Sequence, residues 1–395
     1  HEWGWLSAEE LCEYKETVGK TKSWDEAWKV KQDALWRMSH KNDLNVPWSP
    51  YADFCKENAY WLDDYALFRS VGDFFGGKVW TEWPDNIRCH AADGIAYYKK
   101  ELSGAISHYK FLQYIFYCQW QALRKYAHDN GVQILGDMPM FVAHNSADCW
   151  AHQELFQLDE GGNPTAVAGV PPDYFSVDGQ LWGNPLYDYE AMAADGYRWW
   201  GKRFPAEAKT AREGAWVKGP GLDLFRAVYK ELGFLPMVAE DLGIITDDVC
   251  ALKDALRLPG MKILHFHMAE RGDGRYSFDT EPNCLVYTGT HDNNTTLGWY
   301  EDDLDESGRL QLRQALGLPD DAAPEAVVRA VIAYVYSRRA ETAVVPLQDI
   351  LALPGNCRMN VPGVAEGNWQ WQMDGGMLKL DIAKWLSELC KEYGR

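Results

Sequence analysis

The chain has no run of 18 apolar residues, and residues 1–30 carry charge throughout. Neither a bilayer-spanning helix nor a secretory leader is expected. No Cys-x-x-Cys pair occurs among the nine cysteines (12, 55, 89, 118, 149, 250, 284, 357 and 390), which are odd in number and scattered. A disulfide scaffold is excluded, and reduced, mostly buried thiols in a cytoplasmic enzyme are expected. Basic residues are in deficit: 39 Lys+Arg against 58 Asp+Glu leave a net charge of −19. Such a chain repels phosphate backbones and anionic membrane surfaces, so neither nucleic acid nor membrane is an expected partner. His-Glu-x-x-His, Gly-x-Ser-x-Gly, Walker A and dinucleotide-binding glycine patterns are also missing, as are repeats and low-complexity tracts. What the chain has in excess is aromatic: 19 Trp, 21 Tyr and 14 Phe among 395 residues. Some of these rings belong to the large core that 47% hydrophobic residues can build. Others offer flat faces to a flat, weakly polar ligand such as a sugar ring.

The chain opens at His1 in the approach to a helix, with Ser7 and Glu10 in capping-box spacing, and reads as beginning partway through a fold. Residues 1–130 read as a mainly helical subdomain. Ser49-Pro50 caps a helix from Tyr51 to Val71. A second runs from Ile106 to Asp129, with Tyr109, Leu112, Phe116, Trp120 and Leu123 on one core stripe and Gly131 just past its end. From residue 131 to 395 the pattern changes to short apolar runs separated by helix. Five strands are predicted: Val132–Gly136, Leu235–Ala239, Met261–Phe266, Cys284–Thr288 and Ala343–Leu347. Chemically rich residues follow strand ends, namely Asp137, Glu240-Asp241 and His291-Asp292. That placement marks a (β/α)8 TIM barrel, an α/β fold whose active site lies at the C-terminal ends of its strands. A Gly/Pro-rich loop at 161–185 carries Tyr174, Phe175, Trp182 and Tyr187, and a loop that long is usually functional.

The strongest chemical cluster is Tyr287-Thr-Gly-Thr-His291-Asp292-Asn293-Asn294. A His beside a carboxylate can grip vicinal sugar hydroxyls; the plain alternative is a turn capped by its Asn side chains. Glu240 follows an apolar run, where apolar walls raise a carboxylic acid's pKa and suit it to protonate a leaving oxygen. Its bland counterpart is a helix N-terminus capped by Asp241. Asp137, before Met138-Pro139, fits a structural turn better than a catalytic role. Arg358-Met-Asn360-Val-Pro-Gly363 with Gly367-Asn368-Trp369 reads as either a binding edge or a surface turn. His265 and His267 would face one side of a strand, but no third metal ligand stands at motif spacing.

Taken together, Gly136–Asp148, Val167–Ser176, Gly179–Tyr187, Ala239-Glu-Asp-Leu-Gly243, Tyr287–Asn293 and Arg358–Gly363 resemble the 4-α-glucanotransferase family (amylomaltases, or disproportionating enzymes), glycoside hydrolase family 77 of the α-amylase clan. The likeness runs from about residue 1 to the C-terminus. It implies a TIM barrel with inserted helical subdomains and a retaining transfer of α-1,4-glucan segments between malto-oligosaccharides. Starch- or glycogen-derived glucans are the implied partners, with no metal or organic cofactor. By motif match Glu240 is the general acid/base, and Asp292 stabilises the distorted sugar with His291 beside it. The likeness also assigns Asp137, Tyr174, Phe175, Gln180, Trp182 and Asn360 to substrate binding. The residues do not set the oligomeric state.

One departure matters. The family's nucleophile is an Asp in an Arg-x-Asp-His-Phe-Arg-Gly-Phe segment, and that segment is absent. Tyr197–Arg203 matches the family before it and Pro205–Pro220 after it, so the join falls at 204/205. The first, second and fourth barrel strands are unaccounted for, and a unit of roughly 30 residues would fill the internal gap. The chain reads as a longer one with parts missing, because a closed barrel that loses a central strand loses every ladder bond on both neighbours. A gene fragment and a true deletion variant fit the same residues. Two other functions also remain open: a glucan-binding remnant without turnover, and a retaining hydrolase that uses water as acceptor.

Overall fold

The computed structural model describes residues 6–20, 24–41, 49–137, 139–170, 179–194, 196–197, 219–243, 245–270, 276–364 and 366–395. The chain divides into two compact units, one of His1–Gly169, Trp182–Lys209 and Ala215–Gly219, the other of Val170–Leu181, Thr210–Gly214 and Pro220–Arg395. Tyr174, Phe175 and the join at 204/205 lie outside the described residues.

The first unit is mainly helical. Helix α1 (Ala8–Lys20) opens with the expected capping box: Glu10 N–H donates to Ser7 Oγ at 3.1 Å, and Ser7 N–H to Glu10 Oε2 at 2.9 Å. Helix α2 spans Trp24–Lys41. The single helix expected over 51–71 is two, α3 (Pro50–Glu57) and α4 (Ala59–Phe74). Asn58 makes the break. Its side-chain amide donates to the Phe54 carbonyl at 2.9 Å, and its own carbonyl accepts from Leu62 N–H. An Asn that bonds its local backbone ends one helix and starts another. Helix α4 buries Leu62, Ala66, Leu67, Phe68 and Val71, and packs on the long helix α5 (Ser103–Asp129).

The core stripe expected on α5 is a different one. His108, Phe111 and Ile115 are its buried residues, whereas Phe116 is 63% and Leu123 55% exposed. The two stripes sit about a quarter-turn apart, and periodicity alone does not say which one a neighbour covers. Residues 132–136 are not a strand, and Val132, Ile134 and Leu135 are exposed. An extended segment becomes a strand only where a neighbour takes its N–H and C=O groups. The loop expected at 161–185 is partly regular: β1 (Val167–Val170) and β2 (Gln180–Pro185) form a two-stranded sheet.

The second unit is built on a parallel sheet. Helix α6 (Asp247–Leu256) precedes β3 (Gly260–Ile263), which pairs with β4 (Cys284–Tyr287), which pairs in turn with β5 (Thr342–Val344). Gly260 stands opposite Cys284 and Ile263 opposite Tyr287; Leu285 stands opposite Thr342 and Tyr287 opposite Val344. The central strand reads Cys-Leu-Val-Tyr without alternation, as a strand covered on both faces does. A single turn of helix, α7 (Leu264–His267), follows β3, so the strand expected to run to Phe266 stops at Ile263. His265 and His267 consequently do not share a strand face. Helix α8 (Thr296–Gly298) follows the loop after β4.

Helix α9 (Pro324–Tyr336) closes the core from two sides. Val327, Val331 and Val335, at helical spacing, join Cys284 and Val286 of β4 in one cluster. Val328 and Ile332, one position round, pack with Leu297 of α8. Helix α10 (Leu347–Ile350) follows β5, and α11 (Leu380–Tyr393) adds Leu389 to the second cluster. Residues 235–239 are not a strand; Ala239 N–H reaches the Pro259 carbonyl at 2.8 Å, one bond where a ladder needs several. All nine cysteines are free thiols, but only Cys149 and Cys284 are buried, fewer than expected. No helix among the described residues is long and apolar enough to cross a membrane.

Candidate active site

The residues rich in chemistry gather beyond the C-terminal ends of β3, β4 and β5. Strand β4 ends at Tyr287, and the chain then turns through Thr288-Gly-Thr-His291-Asp292-Asn293-Asn294-Thr295 into α8. Gly289 permits a close approach: a Cβ there would lie 2.9 Å from Cε1 of His265. Asn293 makes the turn. Its side-chain oxygen accepts from Thr290 N–H at 2.8 Å and Thr290 Oγ at 2.9 Å, and the residue is buried. Asn294 donates to Asp303 Oδ2 at 3.2 Å. The two asparagines are thus structural, while His291 and Asp292 keep 41% and 27% of their side chains exposed.

Around Asp292 four groups converge. His291 Nε2 lies 3.5 Å from Asp292 Oδ2, and Asn360 Nδ2 donates to Asp292 Oδ1 at 2.5 Å. Arg358 Nη2 donates to the Asp292 backbone carbonyl and Arg358 Nε to that of Asn360, both at 2.6 Å. Asn360 N–H donates to the His291 carbonyl at 3.1 Å, which ties the two segments by backbone as well. Trp369 completes the wall. Its ring centroid is 5.1 Å from that of His291, it is 59% exposed, and its N–H donates to the Met359 carbonyl at 2.7 Å. Its φ of 60° is one that a bulky residue adopts only when its surroundings hold it there. The structure therefore joins His291, Asp292 and Asn360, far apart in the chain. It adds Arg358 and Trp369, whose roles the motif had left open between an edge and a turn.

Beneath this turn lies a second, partly buried layer. His265 stacks on Trp299 with centroids 4.4 Å apart, and its Nε2 is 3.2 Å from Thr296 Oγ. Its Nδ1 is buried without a hydrogen-bond partner. Burial, and secondarily the charge of Arg358, pushes the imidazole pKa down to about 3, so it is neutral at pH 7. His267 instead bonds the Ile263 carbonyl through Nδ1 at 2.9 Å. Among the described residues no group of three His, Cys, Asp or Glu side chains is placed to hold a metal ion.

Glu240 stands on the loop before α6 and is exposed, not walled by apolar side chains as expected. Its neighbour Asp241 is turned inward, accepting from Lys253 Nζ at 2.6 Å and from Met261 N–H of β3 at 2.6 Å. Asp241 therefore anchors the Glu240 loop to β3 and is not the N-cap of α6, which is Thr246. In the first unit, Asp137 is exposed. Trp182 on β2 is 36% exposed, its ring centroid 6.2 Å from Phe141, which stacks on Tyr187. Gln180 lies on the same strand.

Set beside known proteins, the chain matches the sequence profile of a family described as 4-alpha-glucanotransferase, over residues 2–208 and 203–379. It is 39% identical over 371 residues to a 4-alpha-glucanotransferase of Streptococcus pneumoniae TIGR4, spanning 87% of this chain and 73% of that one. It is 39% identical over 356 residues to that of Thermus thermophilus, spanning 83% and 71%. Among solved structures it is similar to an amylomaltase from Streptococcus agalactiae in complex with acarbose, with a TM-score of 0.89 at 30% identity, covering 99% of this chain and 84% of the other. An amylomaltase from Corynebacterium glutamicum, 18% identical with a TM-score of 0.64, shares the fold over 92% of this chain and 58% of its own length.

Proposed function

The chain belongs to the 4-α-glucanotransferases of glycoside hydrolase family 77, and from that premise we propose how its site recognises and handles a glucan. The reaction is transfer of an α-1,4-glucan segment from one malto-oligosaccharide to another. The observation that carries the proposal is the convergence of Asp292, His291, Asn360 and Trp369 on one half-exposed position. A carboxylate accepts from two sugar hydroxyls, an imidazole and an amide donate to others, and an indole covers an apolar ring face. Asp292 is held from behind by Asn360 and by Arg358 on its own carbonyl, so its remaining lone pairs point at the ligand without reorganising. The likeness to an acarbose-bound amylomaltase supports malto-oligosaccharides as the ligand class. Glu240 is the general acid/base in this reading. Glu240 is exposed, and bound glucan would keep water from it, which disfavours its charged form and suits it to protonate a leaving oxygen. On the motif match alone, Asp137, Gln180, Trp182, Tyr174 and Phe175 are proposed as further sugar contacts.

Calorimetry with acarbose and with maltotriose tests it. Asp292→Ala is expected to weaken binding about 100-fold, the effect of losing two hydrogen bonds to a charged acceptor. Trp369→Ala is expected to weaken it roughly 5- to 10-fold, on the order of 1 kcal/mol for one stacked ring face. Affinities within twofold of the parent chain for both variants would remove the sugar from this position.

A further inference from the structure

Helix α10 carries two adjacent polar residues that are almost fully enclosed, Gln348 at 7% and Asp349 at 1% exposure. Neither was singled out by any sequence pattern. Asp349 accepts three hydrogen bonds. Its Oδ2 takes Thr288 Oγ at 2.6 Å and Thr296 Oγ at 2.7 Å, and its Oδ1 takes Thr296 N–H at 2.6 Å. Thr288 and Thr296 are themselves fully buried. They are the two ends of the loop that carries His291 and Asp292: Thr288 follows the last residue of β4, and Thr296 is the first residue of α8. Gln348 faces the other segment. Its Nε2 donates to the Cys357 carbonyl at 3.2 Å, directly before Arg358 and Asn360. One short helix thus touches both segments that meet at Asp292.

We propose that Asp349 is the positioning residue of the Asp292 site, clamping both ends of the His291–Asp292 loop, while Gln348 holds the Arg358–Asn360 segment in register with it. This rests on the reading of Asp292 as a sugar ligand. Among the described residues no cation pairs with Asp349; its three partners are two hydroxyls and a backbone N–H. The price of burying that carboxyl is set against a loop pinned at two points, which a single hydroxyl in its place could not do. The device is economical in chain length: pinning residues 288 and 296 restricts everything between them, and pinning 357 fixes what Asp292 bonds to.

The experiment combines amide hydrogen exchange on the sugar-free chain with maltotriose calorimetry, for Asp349→Ala, Asp349→Asn and the milder Thr288→Val. With Asp349→Ala, exchange across 289–295 is expected to speed up at least tenfold and maltotriose affinity to fall about tenfold, with exchange in α9 unchanged. Asparagine, which keeps one acceptor and can donate to the threonine hydroxyls, is expected to recover most of both losses. Thr288→Val, which removes one donor and leaves Thr296 bound, is expected to give an intermediate effect on both. Equal acceleration in α9 and in the loop, for Thr288→Val as for Asp349→Ala, would make Asp349 a general core residue and overturn the proposal. So would a loop whose exchange does not change, or, where Asp292→Ala does weaken binding, a faster loop with unchanged affinity. If the parent chain and Asp292→Ala bind maltotriose equally, the sugar reading of Asp292 fails by itself; the clamp is still decided by the sugar-free exchange.

Discussion

Incubated with maltotriose, the 395-residue chain is expected to bind the sugar and release no glucose. Retention at an anomeric centre needs two carboxyl groups about 5–5.5 Å apart, one to protonate the leaving oxygen and one to hold the glycosyl group covalently. In the reading proposed above, Glu240 supplies the first. The family segment that supplies the second is not in this sequence, and the family profile matches in two stretches that meet at residues 203–208. Asp292 does not replace it: one oxygen is held by the Asn360 amide, and its loop is braced from behind. A second chain, in which a relative's intervening segment is inserted between Phe204 and Pro205, is expected to release glucose and build a ladder of longer malto-oligosaccharides. The readout is chromatography of the products. A ladder from the 395-residue chain itself would show that another carboxylate serves as nucleophile. Glucose and maltose alone from the extended chain would point to water as acceptor, and hence to a hydrolase.

Acid is expected to loosen the second unit through His265. A histidine whose folded pKa is depressed to about 3, against an ordinary 6.5, binds its proton more readily when unfolded. Between those two values the unfolded state therefore holds more protons, and stability falls as pH falls. From pH 7 to pH 4.5 the loss from this one group is about 2.5 kcal/mol, and it keeps growing towards pH 3. Asp349 works in the opposite direction: burial raises its carboxyl pKa, so protonation on acidification relieves the folded state. Asp64 in the first unit, lowered chiefly by its hydrogen bond to His90, loses stabilisation as pH falls through its folded pKa. His265→Gln separates the terms. Its amide can still donate to Thr296 and has no proton to gain. Exchange of the β4 amides at pH 7 and pH 4.5 is the measurement, because a chain of two units need not unfold in one step. The parent should lose β4 protection over this interval by about 2 kcal/mol more than the variant. Parallel losses in both would assign the acid sensitivity elsewhere.

Much of the chemistry is legible in the sequence. The Tyr287–Asn294 run, placed just after a predicted strand, marks the His291–Asp292 pair, and Arg358–Gly363 reads as either a binding edge or a surface turn. Capping residues located helix ends: Ser7 with Glu10 and Ser49 before Pro50 both make the bonds their spacing implied. These features depend on a few neighbouring residues, and a local pattern is enough to specify them. Asn58 shows where that stops. The same apolar spacing continues through it, and only the competition of its side chain for the Phe54 carbonyl splits the helix.

The sequence by itself determined the family, the helical start and the apolar strand β4, and it marked the residues proposed to bind a sugar. Tertiary structure decided the rest. Which stripe of α5 is core depends on what lies against it, and the Phe111–Ile115 side is the one that is covered. Whether 132–136 and 235–239 become strands depends on neighbours that accept their backbone bonds, and they are not strands here. Asp292 meets Asn360, and Asp349 meets Thr288 and Thr296, across 53 to 68 residues of chain. No periodicity records such pairs, because a hydrogen bond between distant residues is set by where parallel strands end, and that is a property of the sheet.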